Sequence, residues 1–118
     1  MFGDLVNPPD REGREKHVPV IVAPDRVKKG EWFDVEIIVG KEMAHPNTLE
    51  HHIESISIFY KEDGNKPVYR VADLTAFPVH ADSRIRLRMR VDSAGYIHAL
   101  SSCNIHGLWE SEKRIEVE

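Results

Sequence analysis

A chain of 118 residues and 13.5 kDa, 41% hydrophobic and 31% charged, has the size and composition of a single globular domain spanning residues 1–118. That excludes a mainly disordered, collagen-like or membrane-spanning chain, since no apolar run approaches the roughly 20 residues needed to cross a bilayer. A formal net charge of −4 offers no bulk attraction for nucleic acid, and the start Met1-Phe2-Gly3-Asp4 lacks the basic and apolar regions of a secretory leader, so the cytoplasm is the expected compartment.

In chain order the pattern reads as strands almost throughout. Val18–Val22 is a short apolar run. Phe33, Val35, Ile37 and Val39 then alternate with Asp34, Glu36 and Ile38, the period of a half-buried strand. Ile53–Tyr60 follows, with one irregularity: Ile53 and Ile56 have opposite parity, which a bulge would resolve, and bulges gather near functional sites. Pro67–Phe77 comes next. Ile85, Leu87, Met89 and Val91 alternate with four arginines at Arg84, Arg86, Arg88 and Arg90, which read as a solvated strand face. Gly95–Ser101 and Lys113–Val117 complete the set. Turn chemistry separates these runs at Lys28-Lys29-Gly30, Asp63-Gly64-Asn65 and Asp92-Ser93-Ala94-Gly95. About seven strands with turns at intervals of roughly ten residues predict an all-β antiparallel sandwich.

A single cysteine rules out an intrachain disulfide, so packing must hold the fold. Three segments carry nearly all the candidate metal ligands: Glu15-Lys16-His17-Val18-Pro19, then His45-Pro46-Asn47-Thr48 through His51-His52-Ile53, then Cys103-Asn104-Ile105-His106-Gly107-Leu108-Trp109. Imidazole suits zinc, copper and iron, and a thiolate adds soft, electron-rich character. Cys103 and His106 lie close enough in one tight turn to share a metal, with Gly107 expected to permit close backbone approach. Taken singly, each signal is weak, because a lone cysteine is usually a small buried hydrophobe. Together they raise a metal site above that reading. Structural zinc usually takes more thiolates than one. A mononuclear copper carrier of cupredoxin type is the serious alternative, yet no methionine follows His106 to serve as its weak axial ligand. A metal-free interaction module is the third reading.

The three motifs, in this order and intact from Glu15 to Trp109, resemble the superoxide reductases of the neelaredoxin and desulfoferrodoxin family. The resemblance implies an immunoglobulin-like β-sandwich holding one mononuclear non-haem iron. His17, His45, His51 and His106 would be its imidazole ligands and Cys103 its axial thiolate. Glu15 would bind only in the ferric resting state. Lys16 would lie beside the open sixth position, steering superoxide and orienting a protonating water. His52, adjacent to His51 on an extended chain, would point away. The implied reaction is one-electron reduction of superoxide to hydrogen peroxide. Members with a second, rubredoxin-like centre carry four further cysteines; this chain has none before Cys103, so it resembles the one-iron type and needs an external donor, commonly rubredoxin. Homo-oligomers, tetramers among them, occur in the family. Outside the motifs, His80 and His98 read as ordinary surface or strand residues. Trp32 and Trp109 read as core or interface packing residues, with Trp109 also placed to shield the ligand turn.

Overall fold

The computed structural model describes residues 1–7 and 17–118. Glu15 and Lys16 lie outside the described residues. Among the described residues a short 3-10 turn, Gly3–Leu5, precedes eight strands: β1 (Val20–Val22), β2 (Arg26–Val27), β3 (Phe33–Ile38), β4 (Ile53–Glu62), β5 (Val68–Thr75), β6 (Arg84–Met89), β7 (Gly95–Cys103) and β8 (Gly107–Val117). They form two sheets, one ordered β1-β3-β6 and the other β2-β8-β7-β4-β5: the sandwich that the alternation predicts, of the immunoglobulin-like kind that the family resemblance implies. Among the described residues no helix is long and apolar enough to cross a membrane.

The core lies between the sheets and is built from the inward positions of each strand. Val35 and Ile37 come from the smaller sheet; Ile56, Ile58, Ile97, Ala99 and Ile115 come from the larger, and all are essentially inaccessible to water. Fully burying an isoleucine is worth about 1.5–3 kcal/mol, so this cluster supplies a large share of the driving force. On β7 the odd-numbered residues face inward, which places Ser101 and Cys103 on the same face as Ile97 and Ala99.

The parity problem in β4 is resolved as expected. The register between β4 and β7 shifts between Ile53 and Ser55, so Ile53 and Ile56 both reach the core. A second shift, between Ile58 and Phe59, interrupts pairing with β5.

Two elements differ from expectation. The pair Arg26–Val27 runs parallel to the end of β8, and two residues are too few to carry any periodic signal. The last strand begins at Gly107 rather than at Lys113, because Cys103 pairs with Gly107 and closes a hairpin. Its first half was hidden because Ser111 and Lys113 occupy core-side positions, so apolar alternation starts only at Ile115.

Trp32 is not a core residue. It is 53% exposed, since Phe33 takes the inward position beside it, and its ring lies under Arg88 and Arg90 at 5.6 and 4.5 Å. The other two arginines of that face, Arg84 and Arg86, both reach Glu36, in exposed pairs worth about 0–1 kcal/mol each. His98 lies on the outward face of β7, 3.5 Å from Glu112, and His80 is exposed near Phe77.

At the β6–β7 turn the buried Tyr60 hydroxyl donates a 2.6 Å hydrogen bond to the Ser93 carbonyl. Burial pushes this phenol up to about 12 from its ordinary 10.0. A raised folded-state value means that the folded protein favours the protonated phenol. That contribution is complete below pH 10.0 and is lost as pH rises through about 12. Tyr60→Phe is expected to cost about 0.5–1.5 kcal/mol near neutral pH, read by urea unfolding, and to flatten the alkaline fall in stability.

Candidate metal centre

Five motif residues come together at one end of the sandwich. His17 lies three residues before the start of β1, His45 and His51 belong to the long β3–β4 loop, Cys103 ends β7, and His106 sits in the β7–β8 hairpin tip. The candidate ligand atoms of His17, His45, His51 and Cys103 all lie within 4.8 Å of one another. His106 joins them through Nδ1, which is 3.1 Å from His17 Nε2 and 3.8 Å from the Cys103 sulfur.

The imidazoles form a ring. Centroid separations around it are 4.8 Å for His17–His45, 4.7 Å for His45–His51, 5.0 Å for His51–His106 and 4.8 Å for His106–His17. Across it, His17 and His51 stand 6.5 Å apart, close to the diagonal of a square of that side. Neighbouring rings meet edge to face at 66–79°, so they stand like the blades of a propeller around a common axis. With four sides of the square already closed, the thiol lies against the ring and enters from the core side, where Cys103 is 3% exposed.

The donor set fits a cation. His45 Nδ1 is 2.8 Å from the Pro46 carbonyl, an acceptor only, so Nδ1 carries the proton and Nε2 keeps its lone pair. That Nε2 is buried with no hydrogen-bond partner, a costly arrangement for a polar atom unless a cation meets it. Burial pushes His45 down to about 4, with the neighbouring histidines adding to the shift, which keeps its imidazole in the neutral form that a metal requires. The His106 amide points at the Cys103 sulfur from 3.4 Å, a weak hydrogen bond that would draw charge from a thiolate.

His52 stays outside the ring. Its Nδ1 is 3.0 Å from the Thr48 carbonyl. Thr48 also organises His51 itself: the Thr48 amide donates to the His51 carbonyl at 2.9 Å, and the His51 amide donates to the Thr48 hydroxyl at 3.0 Å.

Comparison with known proteins identifies the family. The desulfoferrodoxin family profile matches residues 10–112. A superoxide reductase of Pyrococcus abyssi is 43% identical over 121 aligned positions, covering 98% of this chain and 100% of its own. The neelaredoxin of Megalodesulfovibrio gigas is 39% identical, with 88% of this chain and 89% of its own covered. The solved structure of a superoxide reductase (neelaredoxin) from Ignicoccus hospitalis superposes with a TM-score of 0.90 at 34% identity, covering 100% of this chain and 99% of its own. The chain belongs to the desulfoferrodoxin family. That membership sets aside the cupredoxin alternative.

Within this desulfoferrodoxin fold, residues outside the three motifs support the ring. Ser101 is fully buried and donates its hydroxyl to the His17 carbonyl at 2.7 Å. The signal was available in the sequence, since a serine at an inward β7 position is an anomaly that asks for a partner. Trp109 does shield the site as expected: it is buried, stacks on His17 at 5.0 Å and 11°, and donates from Nε1 to the His106 carbonyl at 3.2 Å. Gly40, at φ +88°, lets the β3–β4 loop fold back tightly, because a Cβ there would lie 2.6 Å from the His45 amide nitrogen. Gly107 serves differently from expectation. Nothing lies within 4 Å of where its Cβ would be, and what the position requires is the backbone turn at φ +81°.

Ser101→Ala leaves the buried His17 carbonyl without its side-chain donor. The expected loss is about 1–3 kcal/mol in urea unfolding of the metal-free protein, together with weaker metal binding.

Proposed function

We propose that this chain is a superoxide reductase of the one-iron type, converting superoxide with one electron and two protons into hydrogen peroxide. The observation that carries the reading is the square of four imidazoles closed over a single buried thiol. A mononuclear iron held by His17, His45, His51, His106 and Cys103 supplies the electron. His45 binds through Nε2 and His106 through Nδ1, the nitrogens that face the cluster.

The protein's own contribution begins with charge. Neutral imidazoles and one thiolate leave a divalent or trivalent centre net positive, so a small anion is drawn in although the whole chain is acidic. The imidazoles suit iron, and the Cys103 thiolate would donate electron density to the metal they hold. The His106 amide tempers that donation by its bond to sulfur. Lys16, which adjoins His17 in sequence, is assigned the role of attracting superoxide and orienting a water for protonation. Glu15, one residue further, caps the ferric resting state.

The electron must be replaced after each turnover. With one such centre, the chain draws it from an external one-electron donor of rubredoxin type, in the cytoplasm. Residues 1–118 act as one iron-binding domain, assembled as a homo-oligomer.

Metal analysis with an optical spectrum tests the proposal. Close to one iron per chain is expected, with a thiolate-to-ferric absorption band that bleaches on reduction and disappears in Cys103→Ser. Copper or zinc in place of iron, or a band that survives Cys103→Ser, would overturn it.

Lys16→Ala should slow the reaction with superoxide by roughly tenfold or more at unchanged iron content, measured by pulse radiolysis. Glu15→Ala should retain activity while opening the ferric centre to added azide; unaltered azide binding would remove the capping role.

A further inference from the structure

The antiparallel ladder between β4 and β7 runs as far as Ile53 opposite Cys103. The next rung would pair His52 with Asn104, but there the chain turns away into the hairpin tip. Half of that rung forms from backbone, the Asn104 amide donating to the His52 carbonyl at 3.2 Å. The other half is made by a side chain: the His52 amide donates at 2.9 Å to Asn104 Oδ1, which replaces the carbonyl that the turn has carried off. The same carboxamide then uses its nitrogen, Nδ2 donating to the Glu50 carbonyl at 3.0 Å. An exposed asparagine thus spends both ends of its side chain on one neighbouring loop.

Asn104 directly follows Cys103, and Glu50 and His52 flank His51 on both sides. We infer that Asn104 is a positioning residue for the metal centre, fixing the loop that carries the His51 imidazole against the turn that carries the Cys103 thiol and His106. This rests on the reading of those residues as ligands. An error in the relative placement of the two loops would change the angle between the thiolate and one side of the imidazole square. Outer residues that orient metal ligands in this way typically change affinity by roughly 10- to 100-fold when removed.

Two variants separate the possibilities. Asn104→Ala removes both side-chain bonds, while Asn104→Asp keeps an oxygen for the His52 amide and loses only the donor to Glu50. In the metal-free protein, amide hydrogen exchange at His52 should accelerate in Asn104→Ala and stay near wild type in Asn104→Asp. Ferrous-ion affinity, by competition with a chromophoric chelator, should fall roughly 10- to 100-fold in the alanine variant and recover in part in the aspartate variant. The absorption maximum of the oxidised centre should move in the alanine variant and return towards wild type in the aspartate variant.

Unchanged affinity and absorption in a folded Asn104→Ala protein, even one of lower stability, would overturn the inference. If the alanine variant does not fold, an Asn104→Asp protein with fast His52 exchange would overturn it equally. A wild-type chain that retains no ferrous ion would defeat the ligand reading instead, and His52 exchange would still show whether the clamp exists.

Discussion

Imidazole nitrogens removed from water and aimed at one another are an expensive arrangement, and the end of this sandwich is organised around it. His17, His45, His51 and His106 close a ring with sides near 5 Å, and the buried Nε2 of His45 has no hydrogen bond. Its other nitrogen is already committed to Pro46, so rotating the tautomer would forfeit one bond to gain another. A cation at the common centre would answer that lone pair.

The sandwich meets that demand by division of labour. The rigid part is the large sheet, whose β7 strand drives Cys103 into the core and whose hairpin return places His106 three residues later. The adaptable part is the β3–β4 loop, which carries two imidazoles on irregular backbone. It is held at one side by Gly40 folding against His45 and at the other by Asn104 standing in for a missing strand carbonyl. The bulge at Ile53–Ser55 lies between the two parts, so the strand can keep Ile56 and Ile58 in the core while Ile53 also packs beside Cys103. His17 is tied down by stacking on Trp109 and by the Ser101 hydroxyl.

Much of this was legible in the residues. Residue chemistry limits what can bind a metal, and the family resemblance carried by three compact motifs named the five side chains that the fold then gathers. The conflict of parity between Ile53 and Ile56 is itself the mark of the bulge, because a regular strand cannot send both side chains to one face. What escaped were features whose signal is relational. The strand Arg26–Val27 is too short to have a period, and the first half of the last strand carries serine and lysine where apolar residues would announce it. Trp32 reads from sequence as a core or interface residue; the core half of that reading fails because its neighbour Phe33 takes the inward place, and two arginines lie over the Trp32 ring. Asn104 belongs by sequence to a motif, whereas its work depends on which residue stands across the ladder, a matter no single-chain pattern states.

His17 and His106 stand 89 residues apart in sequence and 3.1 Å apart at their ring nitrogens. An ion held by both would bind only the folded chain, in which the two ends of so long a span meet, and would stabilise that state by mass action. It would also tie the segment before the first strand to the last hairpin. Loss of such an ion would release both segments together, so resistance to proteolytic nicking there would report metal occupancy.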